Sequence, residues 1–204
     1  MRVTPRQLAE MEQRLAAAAR PRGRLSTPDP TPLPVPPRPS VILGLDPSLR
    51  GTGYGVIRLE QPFPATLSQG TISCPATWPR SRCLLKIVQT LRDVLREHPP
   101  GVCVVEGLFF AQNLQTAQIM GEARGAAMAA LAEAGVDIYE IAPRKVKLAI
   151  VGYGAAQKLA VAKMVQRMLH LAEPPAPDAA DALALALTHA QEANRYSLSP
   201  RRKL

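Results

Sequence analysis

Four acidic residues are the side chains of this sequence best placed to do chemistry. Asp46 and Glu106 each end a short apolar run of the kind that forms a buried strand, and Asp178 and Asp181 open an Ala- and Leu-rich helical stretch. A carboxylate at the end of a buried strand costs several kcal/mol to desolvate unless a cation or hydrogen-bond donors accompany it. The three-residue spacing of the second pair lets both acids lie on one face of a helix's first turn.

If the strands that end on Asp46 and Glu106 are parallel neighbours, both carboxylates emerge at the same edge of one sheet. Four carboxylates meeting there would repel one another strongly unless divalent metal held them together. Oxygen ligands without His or Cys select Mg²⁺ or Mn²⁺. Two such ions about 4 Å apart suit the in-line attack of water on a phosphodiester, so the four acids predict a two-metal nuclease.

Each of these features also has a simpler interpretation. Asp46-Pro47 is a common turn sequence, and acids such as Asp178 and Asp181 complement the dipole at a helix N-terminus without any catalytic role. The glycines in Gly51-Thr52-Gly53 loosely resemble a phosphate loop, which keeps an actin-like ATPase open as a further hypothesis. That fold requires a duplicated domain, for which about 150 core residues are too few.

The hydrophobic periodicity predicts the elements that position these acids. Predicted strands span 41–45, 54–59, 65–73, 102–105 and 136–141, and predicted helices span 80–98, 113–134, 157–171 and a last stretch that begins at 178. This order, βββαβαβα with further helices, predicts an α/β domain with a five-stranded mixed sheet flanked by helices. The Ala- and Gly-rich helix at 113–134 permits close packing, either inside the monomer or across a homodimer interface.

Composition divides the rest of the chain. Residues 1–20 are predicted to form an amphipathic helix, residues 21–39 hold eight prolines and are predicted to be an extended linker, and residues 40–194 are predicted to form the compact domain. Residues 1–40 carry seven Arg against three acids, and the basic tail at 195–204 carries four basic residues and no acid, so the ends supply eight of the nine net positive charges. Such ends suit a polyanionic partner such as nucleic acid, although basic tails are also a common solubility feature.

The three cysteines and the hydropathy exclude several classes of protein. Cys74, Cys83 and Cys103 show no metal-ligand spacing, which predicts reduced thiols rather than a zinc site. No apolar run approaches transmembrane length. We therefore expect a cytoplasmic protein without a membrane partner.

Four segments of the chain, in this order and spacing, resemble the RuvC-type Holliday-junction resolvases. They are ILGLDPSLRGTGYGVI, VVEGLFFAQN, RKVKLAIVGYGAAQK and DAADALALALTH, and together they cover residues 41–190 with gaps between them. The resemblance implies a ribonuclease-H-like three-layer fold and a homodimer that nicks four-way DNA symmetrically. It also implies a branch-migration helicase as a further partner.

The resemblance also implies roles for individual residues. Asp46, Glu106, Asp178 and Asp181 match the family's catalytic acids, which implies two Mg²⁺ ions per active site, with Mn²⁺ able to substitute.

Candidate DNA contacts follow from the same comparison of motifs. Phe109 matches an aromatic residue that inserts against bases at the junction, and Lys147 and Lys158 match basic residues that contact the phosphate backbone. Arg144 lies in the same basic segment and is a further candidate. A core Phe and surface basic residues are the simpler alternatives.

Two positions depart from the usual family pattern. Ser48-Leu49 stands where Gly-Ser is usual after the first acid and proline, and Gln112 stands where a basic residue is frequent. Neither change affects a predicted metal ligand. The sequence therefore predicts a Mg²⁺-dependent endonuclease that resolves four-way junctions in recombination and repair. The alternative is a non-catalytic branched-DNA binding module with a decayed nuclease site.

Overall fold

The computed structural model describes residues 9, 10, 13, 40–107, 113–193 and 202–204. Contacts divide the chain into two units, Met1–Pro37 and Arg38–Leu204. In the first unit the described residues are helical. The predicted linker at 21–39 and the candidate DNA contact Phe109 lie outside the described residues.

The second unit alternates strands and helices along the chain. The elements are β1 (Val41–Asp46), β2 (Gly51–Arg58), β3 (Ala65–Ser73), α1 (Arg80–Glu97), β4 (Val102–Glu106), α2 (Leu114–Glu133), β5 (Asp137–Ile141), α3 (Pro143–Val151), α4 (Lys158–Met168), α5 (Pro177–Ala193) and β6 (Arg202–Lys203). The sheet order is β3-β2-β1-β4-β5-β6. Strands β1, β2 and β3 are antiparallel, β1, β4 and β5 are parallel, and β6 is antiparallel to β5. The predicted α/β architecture with five mixed strands is confirmed, and β6 adds a short edge strand to it.

The sheet separates two hydrophobic clusters and so forms the middle of three layers. Alternate residues of a strand face opposite sides of a sheet. In β1, Leu43 and Leu45 pack with residues of α1 and α2, whereas Ile42 packs with residues of α3, α4 and α5. Helix α5 is the most deeply placed of these, because every residue from 182 to 190 is buried.

Glycines on β1 and β2 let the backbone of α5 lie directly on the sheet. A Cβ atom at Gly44 would overlap the main-chain carbonyl of Ala182, and one at Gly53 would overlap the main-chain carbonyl of Asp178. Only a residue without a side chain permits this approach. The start of α5, which carries two of the four acids, is therefore held against the strands by main-chain contact.

The second strand begins earlier than the sequence predicts. Gly51 and Gly53 belong to β2, where Gly53 lies opposite Asp46 of β1, so the strand starts three residues before the predicted residue 54. These glycines leave room for the first turn of α5. In an antiparallel strand pair they do not form a phosphate loop, and the described residues form one sheet rather than the duplicated domain of an actin-like ATPase.

Two further elements were not predicted from the sequence. The basic segment after β5 forms α3, which starts with Pro143 and ends at Gly152 in the left-handed region with φ of 80°. At the other end of the chain, Lys203 of β6 pairs with Tyr139, and its Nζ lies 2.8 Å from Asp137 Oδ1. Part of the predicted basic tail thus covers the edge of β5.

None of the helices in the described part of the chain is both long and apolar enough to cross a membrane.

Candidate active site

The carboxyl ends of β1 and β4 bring two of the predicted acids together. These strands are parallel neighbours whose last paired residues are Leu45 and Val105, so Asp46 and Glu106, the next residue of each strand, lie side by side at the edge of the sheet. Leu45 and Val105 pack on the α1 and α2 side. Because successive residues alternate between faces, the Asp46 and Glu106 side chains lie on the other face of the sheet, the one covered by α5.

The first turn of α5 adds the second pair of acids. Asp178 is held close to β2 by the main-chain contact with Gly53 described above. Asp181 lies one turn further along the same helix face, and its Oδ2 atom is 2.9 Å from Nζ of Lys158, the first residue of α4. This lysine is mostly exposed, whereas the Asp181 carboxylate is mostly covered.

Burial and repulsion between neighbouring acids make the carboxyl groups of Asp46 and Glu106 hard to ionise. Burial raises the pKa of the Asp46 carboxyl to about 6, and the negative charge of Asp181 adds to the effect. Burial likewise raises the pKa of the Glu106 carboxyl to about 7, with Asp46 and Asp181 as further causes. The Lys158 ammonium opposes the rise in both pKa values. Glu106 keeps its proton more readily than Asp46, and its protonated carboxyl donates a hydrogen bond to the Asp46 carboxylate.

These raised pKa values predict an unusual pH dependence of stability for the metal-free protein. In the unfolded chain Asp and Glu have pKa values of about 4. The folded state therefore binds more protons between that value and the folded pKa values of about 6 and about 7, and stability is lost as the pH rises through this window. We expect the melting temperature in EDTA to be at least about 2–4 °C higher near pH 5.5 than near pH 8.

Glu106→Gln tests the origin of this dependence. It removes the carboxyl whose pKa is raised most, so it should raise the melting temperature in EDTA at the higher pH and flatten the dependence on pH. Differential scanning calorimetry of both proteins in EDTA gives the comparison. Equal slopes for wild type and variant would contradict the assignment.

The donor atoms of the site suit a hard divalent cation. All four predicted ligands are carboxylates. Burial and repulsion between neighbouring acids raise the pKa values of Asp46 and Glu106, and a bound divalent cation would relieve that repulsion. As the side chains are placed, no three His, Cys, Asp or Glu residues in the described ranges form a group that could hold a metal ion. Among the described side chains, the Lys158 ammonium contacts the cluster through Asp181. The residues thus fit Mg²⁺ by chemistry and charge, and binding it requires Asp181 to share its oxygens between lysine and metal.

The remaining candidate DNA contacts lie on α3 and α4. Arg144 is exposed on α3 and packs against Gly154, and Lys147 is half-buried on the same helix. Lys158 is the one that reaches the acids. The exposed side chains Leu148 and Tyr153 on and after α3 were not singled out by sequence reasoning.

The turn after Asp46 accommodates the residues that depart from the family pattern. Thr52 Oγ1 accepts a hydrogen bond of 3.2 Å from the Ser48 N–H and donates one of 2.5 Å to the Ser48 carbonyl. Leu49 is buried in the core. Ser48 does not have a positive φ; in the described ranges the non-glycine residue that does is His170. The main chain at Ser48 therefore does not need a glycine. The hydrogen bonds between Thr52 and Ser48 therefore hold this turn without a glycine, and Asp46 stays at the end of its strand.

Sequence reasoning missed one charged residue next to the acids. Arg124 on α2 is buried, and its guanidinium donates hydrogen bonds to the main chain of Glu106 and to the Glu140 carboxylate. Its only signal in the sequence is an Arg among Ala and Gly in a helix, which by itself is more often a surface residue.

Comparison with known proteins gives consistent matches over the compact domain. The family model described as crossover junction endodeoxyribonuclease RuvC matches residues 42–189. A curated protein of that name from Protochlamydia amoebophila is 47% identical over 152 residues, which cover 74% of this chain and 90% of the relative. One from Akkermansia muciniphila is 46% identical over 148 residues, covering 72% and 89% of the two chains.

Solved structures show the same likeness. Thermus thermophilus RuvC in complex with a Holliday junction substrate is similar with a TM-score of 0.74 and 34% identity, over 81% of this chain and 99% of that chain. The yeast mitochondrial Holliday junction resolvase Ydc2 is similar with a TM-score of 0.52 and 11% identity, over 72% of this chain and 76% of that chain. At that level of identity the second match concerns the fold alone.

Proposed function

Because the chain belongs to the RuvC family of crossover junction endodeoxyribonucleases, we propose that it resolves four-way (Holliday) DNA junctions by hydrolysing phosphodiester bonds. The family resemblance and the ribonuclease-H-like fold predicted from the motifs are confirmed. The observation that carries the activity is the gathering of Asp46, Glu106, Asp178 and Asp181 where β1, β4 and α5 meet. A decayed binding module is not favoured, because all four acids are retained and lie together.

In this proposal the four acids hold two Mg²⁺ ions, for which Mn²⁺ substitutes. Bound metal would supply a lowered pKa for the attacking water and positive charge for the phosphate oxygens. The protein fixes the ligands in advance, two by strand ends and two by a helix that lies on the sheet through Gly53. Lys158, already beside Asp181, would contact the phosphate next to the scissile bond.

The DNA backbone would run over α3 and α4, with Arg144 and Lys147 as further phosphate contacts. Phe109 is proposed to insert against bases at the centre of the junction, and it follows Glu106 by three residues in the chain. A branch-migration helicase is a further proposed partner, supported by the family resemblance.

The experiment that tests the activity uses a labelled four-way junction with varied central sequences, in Mg²⁺ and in EDTA. We expect paired nicks in opposing strands that disappear in EDTA. Tight junction binding without nicking in either Mg²⁺ or Mn²⁺ would instead favour the non-catalytic binding module. The same gel reports whether the two nicks lie at symmetric positions.

We also propose that the protein acts as a homodimer through α2. Ala123 and Ala127 of this helix are buried within the monomer, whereas a Cβ at Gly121 or Gly125 would meet nothing within 4 Å. The helix thus has one face of small residues that packs inside the monomer and another that is free to contact a second copy. A dimer would also hold two active sites in the fixed relation that symmetric nicking requires.

Sedimentation velocity at micromolar concentration should show a dimer for the wild type and a monomer for Gly125→Arg. The folded monomer should be unaffected, because that position faces open space. The variant should then lose the pairing of nicks. A wild-type protein that stays monomeric both alone and with junction DNA would rule the dimer out.

A further inference from the structure

One buried cation contacts the main chain of Glu106 from the side of the sheet opposite to its carboxylate. Arg124 belongs to α2, has 8% of its surface exposed, and neighbours Ala123 and Ala127, which pack in the cluster on the α1 and α2 side. The carboxylates of Asp46 and Glu106 lie on the other side, under α5. Arg124 is therefore not placed to bind metal or to contact DNA beside the acids.

Its contacts are directed at the strand ends. Arg124 Nη1 donates a hydrogen bond of 2.5 Å to the main-chain carbonyl of Glu106, and Nη2 donates one of 2.6 Å to Glu140 Oε2 on β5. The two side chains are 10% and 17% exposed. A guanidinium presents its donors in a fixed planar arrangement, so holding both acceptors at once fixes their relative positions.

Glu106 pairs with Ile141 of β5 on one side, but on the side of β1 its strand pairing has already ended, and there its carbonyl needs another donor. The ladder between β1 and β4 stops at Val105, one residue before it. On the other side, Gly107 N–H donates to Ile141 with a distance of 2.9 Å, which ties the next residue to β5. The Glu106 carbonyl is held by Arg124 between these two points. Since the direction of a side chain follows its main chain, this hydrogen bond sets where the Glu106 carboxylate points.

A purely structural explanation accounts poorly for this choice of residue. Burying an ion pair brings little or no net stability compared with apolar residues of similar volume. The other buried positions of α2 are Ala and Leu, which pack without that cost. What the guanidinium adds is a hydrogen bond of fixed direction to the main-chain oxygen of Glu106.

We propose that Arg124, braced by Glu140, is a positioning residue that orients Glu106 and thereby sets the affinity of the four acids for divalent cations. This inference rests on the proposed function of the four acids as metal ligands. Residues that hold metal ligands in place without touching the metal typically contribute about 10–100-fold to metal affinity or activity.

The test compares Arg124→Met with wild type in three measurements. Mn²⁺ binding followed by electron paramagnetic resonance should weaken by about ten-fold or more. The Mg²⁺ concentration for half-maximal nicking should rise by a similar factor, and junction affinity measured in Ca²⁺ or EDTA should stay within about two-fold of wild type. Arg124→Lys keeps the charge but not the fork of donors, so it should recover only part of the loss.

Leu131→Ala is the matched control for a general weakening of α2. Leu131 is fully buried on the same helix and packs in the same cluster, so its truncation lowers the melting temperature without touching Glu106. Its Mn²⁺ affinity should equal that of wild type. Should Arg124→Met not fold, Glu140→Gln removes the bracing charge with almost no change in shape and should weaken Mn²⁺ binding by several-fold.

The outcomes separate this inference from the proposed function. Unchanged Mn²⁺ affinity in both Arg124→Met and Glu140→Gln would overturn the positioning role, as would an equal loss in Leu131→Ala. A wild-type protein that binds Mn²⁺ but nicks no junction would overturn the proposed function alone. A weaker Mn²⁺ affinity in the Arg124 variant would still support the positioning role in that case.

Discussion

Asp46→Asn is expected to reduce junction nicking by about 10³-fold or more while leaving junction binding intact. Asn has almost the shape of Asp, so β1 and its pairing with β4 persist. What disappears is one negative charge at the point where the strand ends and where α5 brings its own acids. Without that charge the site attracts a divalent cation less strongly, because a neutral amide replaces one of its carboxylate ligands.

The measurement is single-turnover nicking of a labelled junction, together with a gel-shift affinity in EDTA. Asp93→Asn is a matched control, because Asp93 is exposed on α1 in an ion pair with Arg96 and lies away from the acids. The control should nick at the wild-type rate. Nicking by Asp46→Asn within about ten-fold of wild type would remove Asp46 from the catalytic role that we propose.

The strand ends show how much of the site could be predicted from sequence. An apolar run that stops on a single acid occurs twice, and the sequence predicts that the two acids meet if their strands are parallel neighbours. The structure supplies that adjacency and the register of Leu45 opposite Val105, which places Asp46 beside Glu106. Asp178 was predictable from its helix-start position. What periodicity could not provide is the depth of α5, which depends on glycines in two other elements.

Other features could not be predicted because their causes are not local. The two residues of β6 are too few for any pattern, and they pair because β5 leaves an edge open. Helix α3 has a helical signal in Val146 and Ile150, four residues apart and both buried, but the basic residues around them drew attention to DNA contact instead. Arg124 gains its role only when β4 and β5 lie beneath α2.

Gly53→Ala is expected to impair both stability and nicking, although it changes no charged group. A methyl group at this position overlaps the main-chain carbonyl of Asp178, which cannot rotate away as a side chain could. The first turn of α5 must therefore shift off the sheet. Overpacking of this kind costs about 1–3 kcal/mol of unfolding free energy, and for a domain of this size that lowers the melting temperature by about 3–10 °C.

The same shift displaces Asp178 and Asp181 relative to Asp46 and Glu106. A misplacement of about 1 Å can cost a factor of about 10² in rate, so nicking should fall by about that factor even below the melting temperature.

Gly70→Ala on β3 is the matched control for this substitution. The three atoms nearest to its added methyl group all belong to the side chain of Tyr54, the hydroxyl oxygen at 2.9 Å, and that side chain can move. The unfolding free energy of the control should therefore lie within about 1 kcal/mol of the wild-type value, and the control should nick at the wild-type rate. If Gly53→Ala also behaved like wild type in both measurements, the main-chain contact between β2 and α5 would not be what positions the helical acids. If it lost stability but not nicking, the contact would serve the fold alone, and Asp178 and Asp181 would owe their position to the rest of α5.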